Sequence, residues 1–596
     1  MEQLKQERAE ELFPFRLRLT KSFFFFLFLL VFAQLFKIQI FQHSQIIADS
    51  STGKYMKLSI PVPRGTIYDR NGKILAMSVP FYSAYLDSWA VSHREKTEPS
   101  YKRRLKSELH SIIGMRESEI DNKINQSYPL LKRELSIKEY RELKEKKLPG
   151  IVFEKDFRRF YPNDKLACHI VGFTGTDREG LEGIELYYNG LLKGTEGSSL
   201  ILKDGKGAPI YSVEKIMVHP QKGKDIKLTI DINMQFLLEE ELEKAFLKYN
   251  AKSASGVIMD YETGEIIALA NIPNYNLNLP GNSTPSEKRN RIATDLFEPG
   301  STFKIVTAAA AMEENIVSPE DIIDCEKGKW FVRNHYLRDV HEYDKITVSQ
   351  VIEKSSNIGT VKLAMGLGER KLYEYCAKFG FGQLTGIDLP GEIKGILRPL
   401  NRWSGYSITA IPIGQEVGIN AIQGIRAMGV IANGGYLVNP HLLKEIIDDS
   451  ASIKTNTGKK KERILSWETC NVLKGILENV TQPGGTAPLA NIEGYSISGK
   501  TGTAQKIIGG HYSKSKYLAS FGGFLNGKEE KLIIQVTVDE PGPVYYGGLV
   551  AAPTFRNILW RSLQYLNIPP CEDYRHNKLA LKKQAADKNQ EESVDN

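Results

Sequence analysis

Ser301 and Lys304 stand three positions apart in the run Phe297-Glu-Pro-Gly-Ser-Thr-Phe-Lys-Ile305. A serine hydroxyl is a weak nucleophile until a base takes its proton. A lysine amine is such a base only when neutral, and an unperturbed pKa of about 10.4 keeps it charged at neutral pH. Bringing it near 7 takes about three units, on the order of 4 kcal/mol, which burial and a neighbouring cation can supply. Pro299-Gly300 turns the chain and a helix is expected from about Ser301. Positions i and i+3 of a helix share a face, so both side chains can project into one cleft. Taken alone, an ordinary helix start explains the pair better. Ser-x-x-Lys recurs at Ser51/Lys54, Ser212/Lys215 and Ser513/Lys516.

Two further runs change that balance. Ser355-Ser-Asn357 begins 54 residues beyond Ser301, and Lys500-Thr-Gly502 follows 143 residues beyond Asn357 in a strand-like stretch. Lys500 is the natural second cation for Lys304. Ser-x-x-Lys, Ser-x-Asn and Lys-Thr-Gly, in that order, are the signature of penicillin-binding proteins and class A β-lactamases. No His-Glu-x-x-His or Gly-x-Ser-x-Gly run competes with it, no metal-ligand set is visible, and the chemistry needs no metal or cofactor.

The elements that must carry these residues are legible around them. Asp231 can cap a helix reaching Tyr249, with an apolar stripe of Met234, Leu238, Leu242, Ala245 and Phe246. Gly256 to Asp260 and Glu265 to Ala270 flank the turn Tyr261-Glu-Thr-Gly264 and predict a hairpin. Tyr495–Lys506, Tyr517–Leu525 and Lys531–Asp539 are three more strand-like runs, with Asn526-Gly527 as a turn between the last two. Two strands, a long helical excursion holding Ser301 to Glu314, then three strands predict an antiparallel sheet covered by helices.

Upstream, the first strong signal is an apolar run from Ser22 to Phe41, long enough to cross a bilayer. Arg16, Arg18 and Lys21 precede it and favour a cytoplasmic N-terminus. A cleaved signal peptide is the rival, but no small-x-small site follows directly. A hairpin is expected around Asp69-Arg-Asn-Gly72, and the charged stretch from Arg94 to Lys147 reads as a solvent-facing helical insertion. At 596 residues, more than one domain is expected. The net charge of +8 is dispersed through mixed Lys/Glu stretches, which argues against a nucleic-acid groove. Five cysteines (Cys168, Cys325, Cys376, Cys470, Cys571) show neither zinc spacing nor a disulfide framework. The tail after Pro570 is charged and poor in apolar residues, as disordered segments are.

From the anchor to about Ile568, the chain resembles the class B penicillin-binding proteins, peptidoglycan D,D-transpeptidases, and among them the septal, cell-division type. The residues that carry the likeness are Phe297 to Lys304, Ser355 to Gly359, Phe379 to Gly382 with Thr385 to Glu392, Gly499 to Gln505, and Val538 to Gly548. Arg158 to Gly197 resembles the family's pedestal, or dimerisation, domain. The resemblance implies a membrane-anchored multidomain α/β chain: a cytoplasmic tail over 1–21, a transmembrane helix over 22–41, an elongated α+β pedestal over 42–225, a transpeptidase domain over 226–568 with a five-stranded, mainly antiparallel sheet flanked by helices, and a disordered tail over 569–596.

It also implies roles. Ser301 attacks the carbonyl between the last two D-alanines of a stem peptide, with Lys304 as base and Ser355 relaying a proton. Asn357 bonds Lys304 and the substrate amide. Lys500, Thr501 and Thr503, with Gly502 among them, hold the terminal carboxylate, and the N–H groups of Ser301 and Thr503 form the oxyanion hole. The implied partners are stem peptides ending in D-Ala-D-Ala, β-lactams, a membrane-embedded septal glycan polymerase and other division proteins. An elongation or sporulation transpeptidase, a non-catalytic division scaffold and a β-lactam sensor share parts of this pattern and stay open. The sporulation kind often carries extra C-terminal repeats, which this sequence lacks.

Overall fold

The computed structural model describes residues 2–43, 55–126, 128–203, 209–448, 451–454, 462–527 and 530–570. The chain forms two compact units: residues 1–62, 80–157 and 195–222 in one, and 63–79, 158–194 and 223–596 in the other. The tail over 571–596, and Cys571 with it, lies outside the described residues.

In the first unit, a helix runs from Glu2 to Phe36 and continues as a π-helical turn, Lys37–Phe41. Its apolar part, Leu17–Phe41, is long enough to cross a membrane, and none of it is buried in the protein. Three antiparallel strands (Tyr55–Ile60, Gly197–Lys203 and Pro209–Val218) form a small sheet. The charged stretch is not simply a solvent-facing insertion. Its helices Tyr101–Ile113, Glu117–Ile124 and Ile137–Glu145 enclose a separate apolar core. Tyr101, Leu105 and Leu109, at four-residue steps on one helix face, are all fully buried. The charges that dominate the composition lie on the outer face.

In the second unit, the hairpin at Asp69-Arg-Asn-Gly72 forms as expected, pairing Ile67 with Ala76. Ile67 also pairs in parallel with Ile226, so a strand before the charged stretch joins one far beyond it. Fully buried Glu185 accepts hydrogen bonds from Arg64 Nε and Arg159 Nε, each at 2.5 Å. Such a charge is sustained in the interior only by paired, hydrogen-bonded cations. These links hold residues 63–79 and 158–194 to the C-terminal unit, so the boundary between the compact units is not a single cut in the chain.

The five-stranded sheet of this unit consists of β1 (Ser253–Asp260), β2 (Ile266–Ile272), β3 (Ile497–Ile508), β4 (His511–Leu525) and β5 (Leu532–Asp539). Its order is β2-β1-β5-β4-β3, antiparallel throughout, with β3 at an edge. The β3–β4 hairpin is longer than expected, pairing Ile508 with His511 at its tip.

Helix α1 (Ile232–Lys248) is capped by Asp231, which accepts from Asn233 N and Met234 N. Its Leu238 and Leu242 lie against Gly256 of β1, where a Cβ would collide with them. The remaining helices used below are α2 (Lys304–Glu313), α3 (Val348–Glu353), α4 (Asn357–Leu367), α5 (Ala421–Ala432), α6 (Trp467–Asn479) and α7 (Gly547–Tyr565). On β4, Gly522 meets Met428 of α5, whereas the next residue, Gly523, meets Phe555 of α7. Successive strand residues point to opposite faces, so α5 and α7 cover opposite sides of the sheet.

Candidate active site

Gly300 to Phe303 form a single 3-10 turn, and α2 proper begins at Lys304. In 3-10 geometry, residues i and i+3 eclipse one another, which sets Ser301 and Lys304 on the same side more strictly than an α-helix does. The other Ser-x-x-Lys runs are different. Ser212/Lys215 and Ser513/Lys516 lie in strands and not on a helical turn, and Ser51/Lys54 lies outside the described residues.

Lys304 is fully buried. Its Nζ donates to the Ser355 carbonyl at 2.5 Å, to Ser355 Oγ at 3.2 Å and to Asn357 Oδ1 at 2.7 Å. Three of the expected residues are thereby brought together by direct contact. Ser355, between α3 and α4, has φ +62°. This left-handed conformation is unusual for a residue with a side chain, and it lets both the carbonyl and the hydroxyl of Ser355 face one amine. Asn357 opens α4, and its Nδ2 donates to the Arg338 carbonyl at 2.8 Å. That bond fixes the amide so that Oδ1 points to the lysine.

Lys500 is also fully buried, and its Nζ has no hydrogen-bond partner among the described residues. Burial takes its pKa down to about 7. Lys304 is driven well below the ordinary lysine value, first by burial and next by the charge of Lys500, while Asp339 opposes the shift. This is the arrangement a lysine base requires, with two named causes.

Along β3, Lys500 pairs with Gly522 and Gly502 with Ser520, so both face the α5 side. A Cβ on Gly502 would lie 2.4 Å from Ser520 Oγ and 3.1 Å from the Pro299 carbonyl. Only glycine lets the nucleophile's turn approach the strand this closely. Thr501 and Thr503 point the other way. Thr501 Oγ1 donates to Thr486 Oγ1 at 3.3 Å, and Thr503 Oγ1 accepts from Gly547 N, at the start of α7, at 3.0 Å. Lys500 therefore does not share a face with the two threonines, although all three border the same sheet edge. On the opposite side of Ser301, Gly414 has φ +81°, and a Cβ there would lie 2.1 Å from the Gly300 carbonyl.

Asp339 escaped the sequence reading. It follows the strand His335–Arg338, and its carboxylate accepts from Ser356 Oγ at 2.6 Å, Asn357 N at 2.5 Å and Ile358 N at 3.1 Å. An isolated aspartate 17 to 19 residues before its partners carries no motif. The one available signal was that α4 starts with exposed N–H groups, which attract a carboxylate. Behind the nucleophile's turn, a cavity of about 480 Å³ is lined by Phe297, Glu298, Ala504 and Lys506, and by none of the expected site residues. Among the described residues, no three His, Cys, Asp or Glu side chains converge as metal ligands.

Residues 254–560 match the family described as the penicillin binding protein transpeptidase domain, and residues 59–228 match the penicillin-binding protein dimerisation domain. The chain is 34% identical over 517 residues to a Neisseria meningitidis protein named a probable peptidoglycan D,D-transpeptidase, PenA, with 86% of each chain covered. It is 35% identical to stage V sporulation protein D of Bacillus subtilis, over 85% of this chain and 79% of that one. Among solved structures, penicillin binding protein 3 from Mycobacterium tuberculosis, complexed with aztreonam, superposes with a TM-score of 0.67 at 26% identity, over 86% of this chain and 98% of the other. With more than half of its length inside the first of these matches, and with relatives above 30% identity along most of it, the chain belongs to the penicillin-binding protein transpeptidase family.

Proposed function

We propose that this chain is a peptidoglycan D,D-transpeptidase that cross-links stem peptides through an acyl-enzyme on Ser301. The observation that carries the reading is the buried Lys304 amine, held by Ser355 and Asn357 beside a second buried lysine. An ammonium has three N–H donors. Once deprotonated, Lys304 keeps two, which match the Ser355 carbonyl and Asn357 Oδ1, and its lone pair is left for a hydroxyl proton. Ser301 Oγ attacks the carbonyl between the two terminal D-alanines and passes its proton to Lys304. Ser355 relays a proton to the leaving nitrogen as the C–N bond breaks, and D-alanine departs. The amine of a second stem peptide then attacks the ester, forms the cross-link and releases Ser301.

The donor peptide lies along the free edge of β3, where a ligand can touch both faces of the strand. Lys500 supplies charge for the terminal carboxylate. Thr503 Oγ1 accepts from Gly547 N and so keeps its own O–H free to donate; Thr501 and the Gly502 backbone complete this contact. The N–H groups of Ser301 and Thr503 receive the oxyanion. A β-lactam acylates Ser301 by the same attack. Incubation with a labelled penicillin gives a covalent adduct in the wild type and none in Ser301→Ala; an adduct of normal yield in that variant rules the mechanism out.

In this reading the N-terminus lies in the cytoplasm and the catalytic domain outside, which the basic residues Arg16, Arg18 and Lys21 ahead of the apolar run support, with residues 42–225 as pedestal and 226–568 as transpeptidase domain. The septal role is supported by the runs at Thr385–Glu392 and Val538–Gly548. Such an enzyme needs fresh glycan strands, so a membrane-embedded polymerase is its natural partner. The 35% identity to a sporulation protein supports a second reading, a transpeptidase of spore formation. A fluorescent fusion at the native locus separates them: signal at division septa supports the first, and signal confined to developing spores supports the second.

A further inference from the structure

We propose that Asp339 is a positioning residue of this site: its carboxylate holds the Ser355–Asn357 turn against Lys304 and sets a negative charge near that amine. The inference rests on Lys304 being the base. One carboxylate oxygen takes both Asn357 N and Ile358 N, and the other takes the Ser356 hydroxyl. The same Ser356 Oγ accepts from Gly359 N at 2.9 Å, closing the cap of α4. Ser356 lies between the two residues that grip Lys304, and it is fully buried. Arg338, the neighbour of Asp339, holds the Asn357 side chain through its carbonyl. Two adjacent residues at the end of one strand thereby fix both the main chain and the side chain of Asn357.

These bonds explain why Ser355 keeps its left-handed backbone. That conformation persists only where the surroundings over-determine it. Here the residue after it is tied to Asp339, and Ser355 N and Ser356 N donate to Ile352 and Val351 of α3. The charged groups acting on Lys304 are Lys500 from β3, which lowers its proton affinity, and Asp339, which raises it. Asp339 also acts on Cys325 and Tyr343, and burial pushes both upward, leaving them neutral. Cys325 Sγ lies 3.4 Å from Ser356 Oγ. Among the described residues, Asp339 is thus the anion that opposes Lys500 at the Lys304 amine.

The test measures the rate of acylation by labelled benzylpenicillin against pH on the full-length chain in detergent. D339N keeps the shape and removes the charge. The acid limb of its profile is expected to move to lower pH by at least about half a unit, because the ammonium form loses its counter-charge. D339E keeps the charge and displaces the carboxylate. Its limb stays in place while the maximal rate falls by about fivefold or more, as expected when the geometry of a reacting group is loosened. A D339N limb unmoved within about 0.2 unit, or a D339E rate equal to wild type, overturns the proposal. Failure of the underlying reading looks different: wild-type enzyme with no acid limb, or normal acylation in Lys304→Arg, removes the base itself. If D339A does not fold, the two near-isosteric variants still decide the matter.

Discussion

Lys304 and Lys500 are both fully buried, and the charge of the second adds to burial in holding the first below the ordinary lysine range. A base depressed in this way is neutral, and so active, above its native pKa and is lost as pH falls through it. Acylation is therefore expected to rise with pH along an acid limb. Lys304→Arg stays protonated and loses about a hundredfold or more, the usual worth of a general base. Labelled-penicillin kinetics on both proteins check this, and near-normal rates in the arginine variant would sink it.

Lys500 costs stability. Its native pKa is about 7 against an ordinary 10.5, so between those values the unfolded chain binds the extra proton. The penalty is full below about 7 and shrinks as pH rises toward 10.5. Lys500→Met relieves a cost on the order of 4 kcal/mol near neutrality. Denaturant unfolding should show a more stable protein that acylates poorly; a less stable variant would show that the lysine is not strained by burial.

Ser355 separates chemistry from conformation. Both Ser355→Gly and Ser355→Ala remove the hydroxyl that faces Lys304, so both lose acylation to a similar degree. Glycine tolerates φ +62° and alanine does not. The glycine variant should be the more stable of the two by about 1 kcal/mol, read from paired unfolding curves. Equal stabilities would mean that the turn relaxes out of the left-handed region.

The sheet was readable because each of its strands announces itself locally, and Asp231 was readable as a cap because capping is local too. Ser355, Asn357 and Lys500 were readable only as an ordered set, since no one of the three runs specifies a site. Three features were hidden for physical reasons. The 3-10 turn at Gly300–Phe303 depends on backbone approach from Gly414 and Gly502, which lie far off in sequence. Asp339 acts through tertiary hydrogen bonds with no fixed spacing. The core under Tyr101, Leu105 and Leu109 was masked by charge density, although its four-residue steps were visible in the sequence.

Glu185 pairs with two arginines in a fully buried setting. Glu185→Ala leaves both cations uncompensated and should destabilise the chain by about 3–5 kcal/mol. Unfolding of the full chain, followed by tryptophan fluorescence, measures it. A loss below about 1 kcal/mol, the range of exposed pairs, would show that water reaches the arginines.

The membrane segment gives a topological prediction. With Arg16, Arg18 and Lys21 clustered at the N-terminal end of the apolar helix Leu17–Phe41, protease added to spheroplasts should digest nearly everything beyond the helix, because basic residues favour the cytoplasmic side. Full protection of the C-terminal part would reverse the orientation.

Around the nucleophile, Gly414 lies against the Gly300 carbonyl, Gly547 against the Gly502 carbonyl, and Gly502 against Ser520 and Pro299. The wall behind Ser301 is consequently built largely of main chain, joined at Gly502 by the Ser520 and Thr302 side chains, and main chain is not altered by exchanging one amino acid for another. An inhibitor that takes its grip from those peptide groups touches the part of the enzyme that selection can change least, since any added methyl there collides with the turn that holds the serine. Escape by substitution is left to side chains at the rim, such as half-exposed Tyr546, so contacts made there are the ones a resistant lineage can discard first.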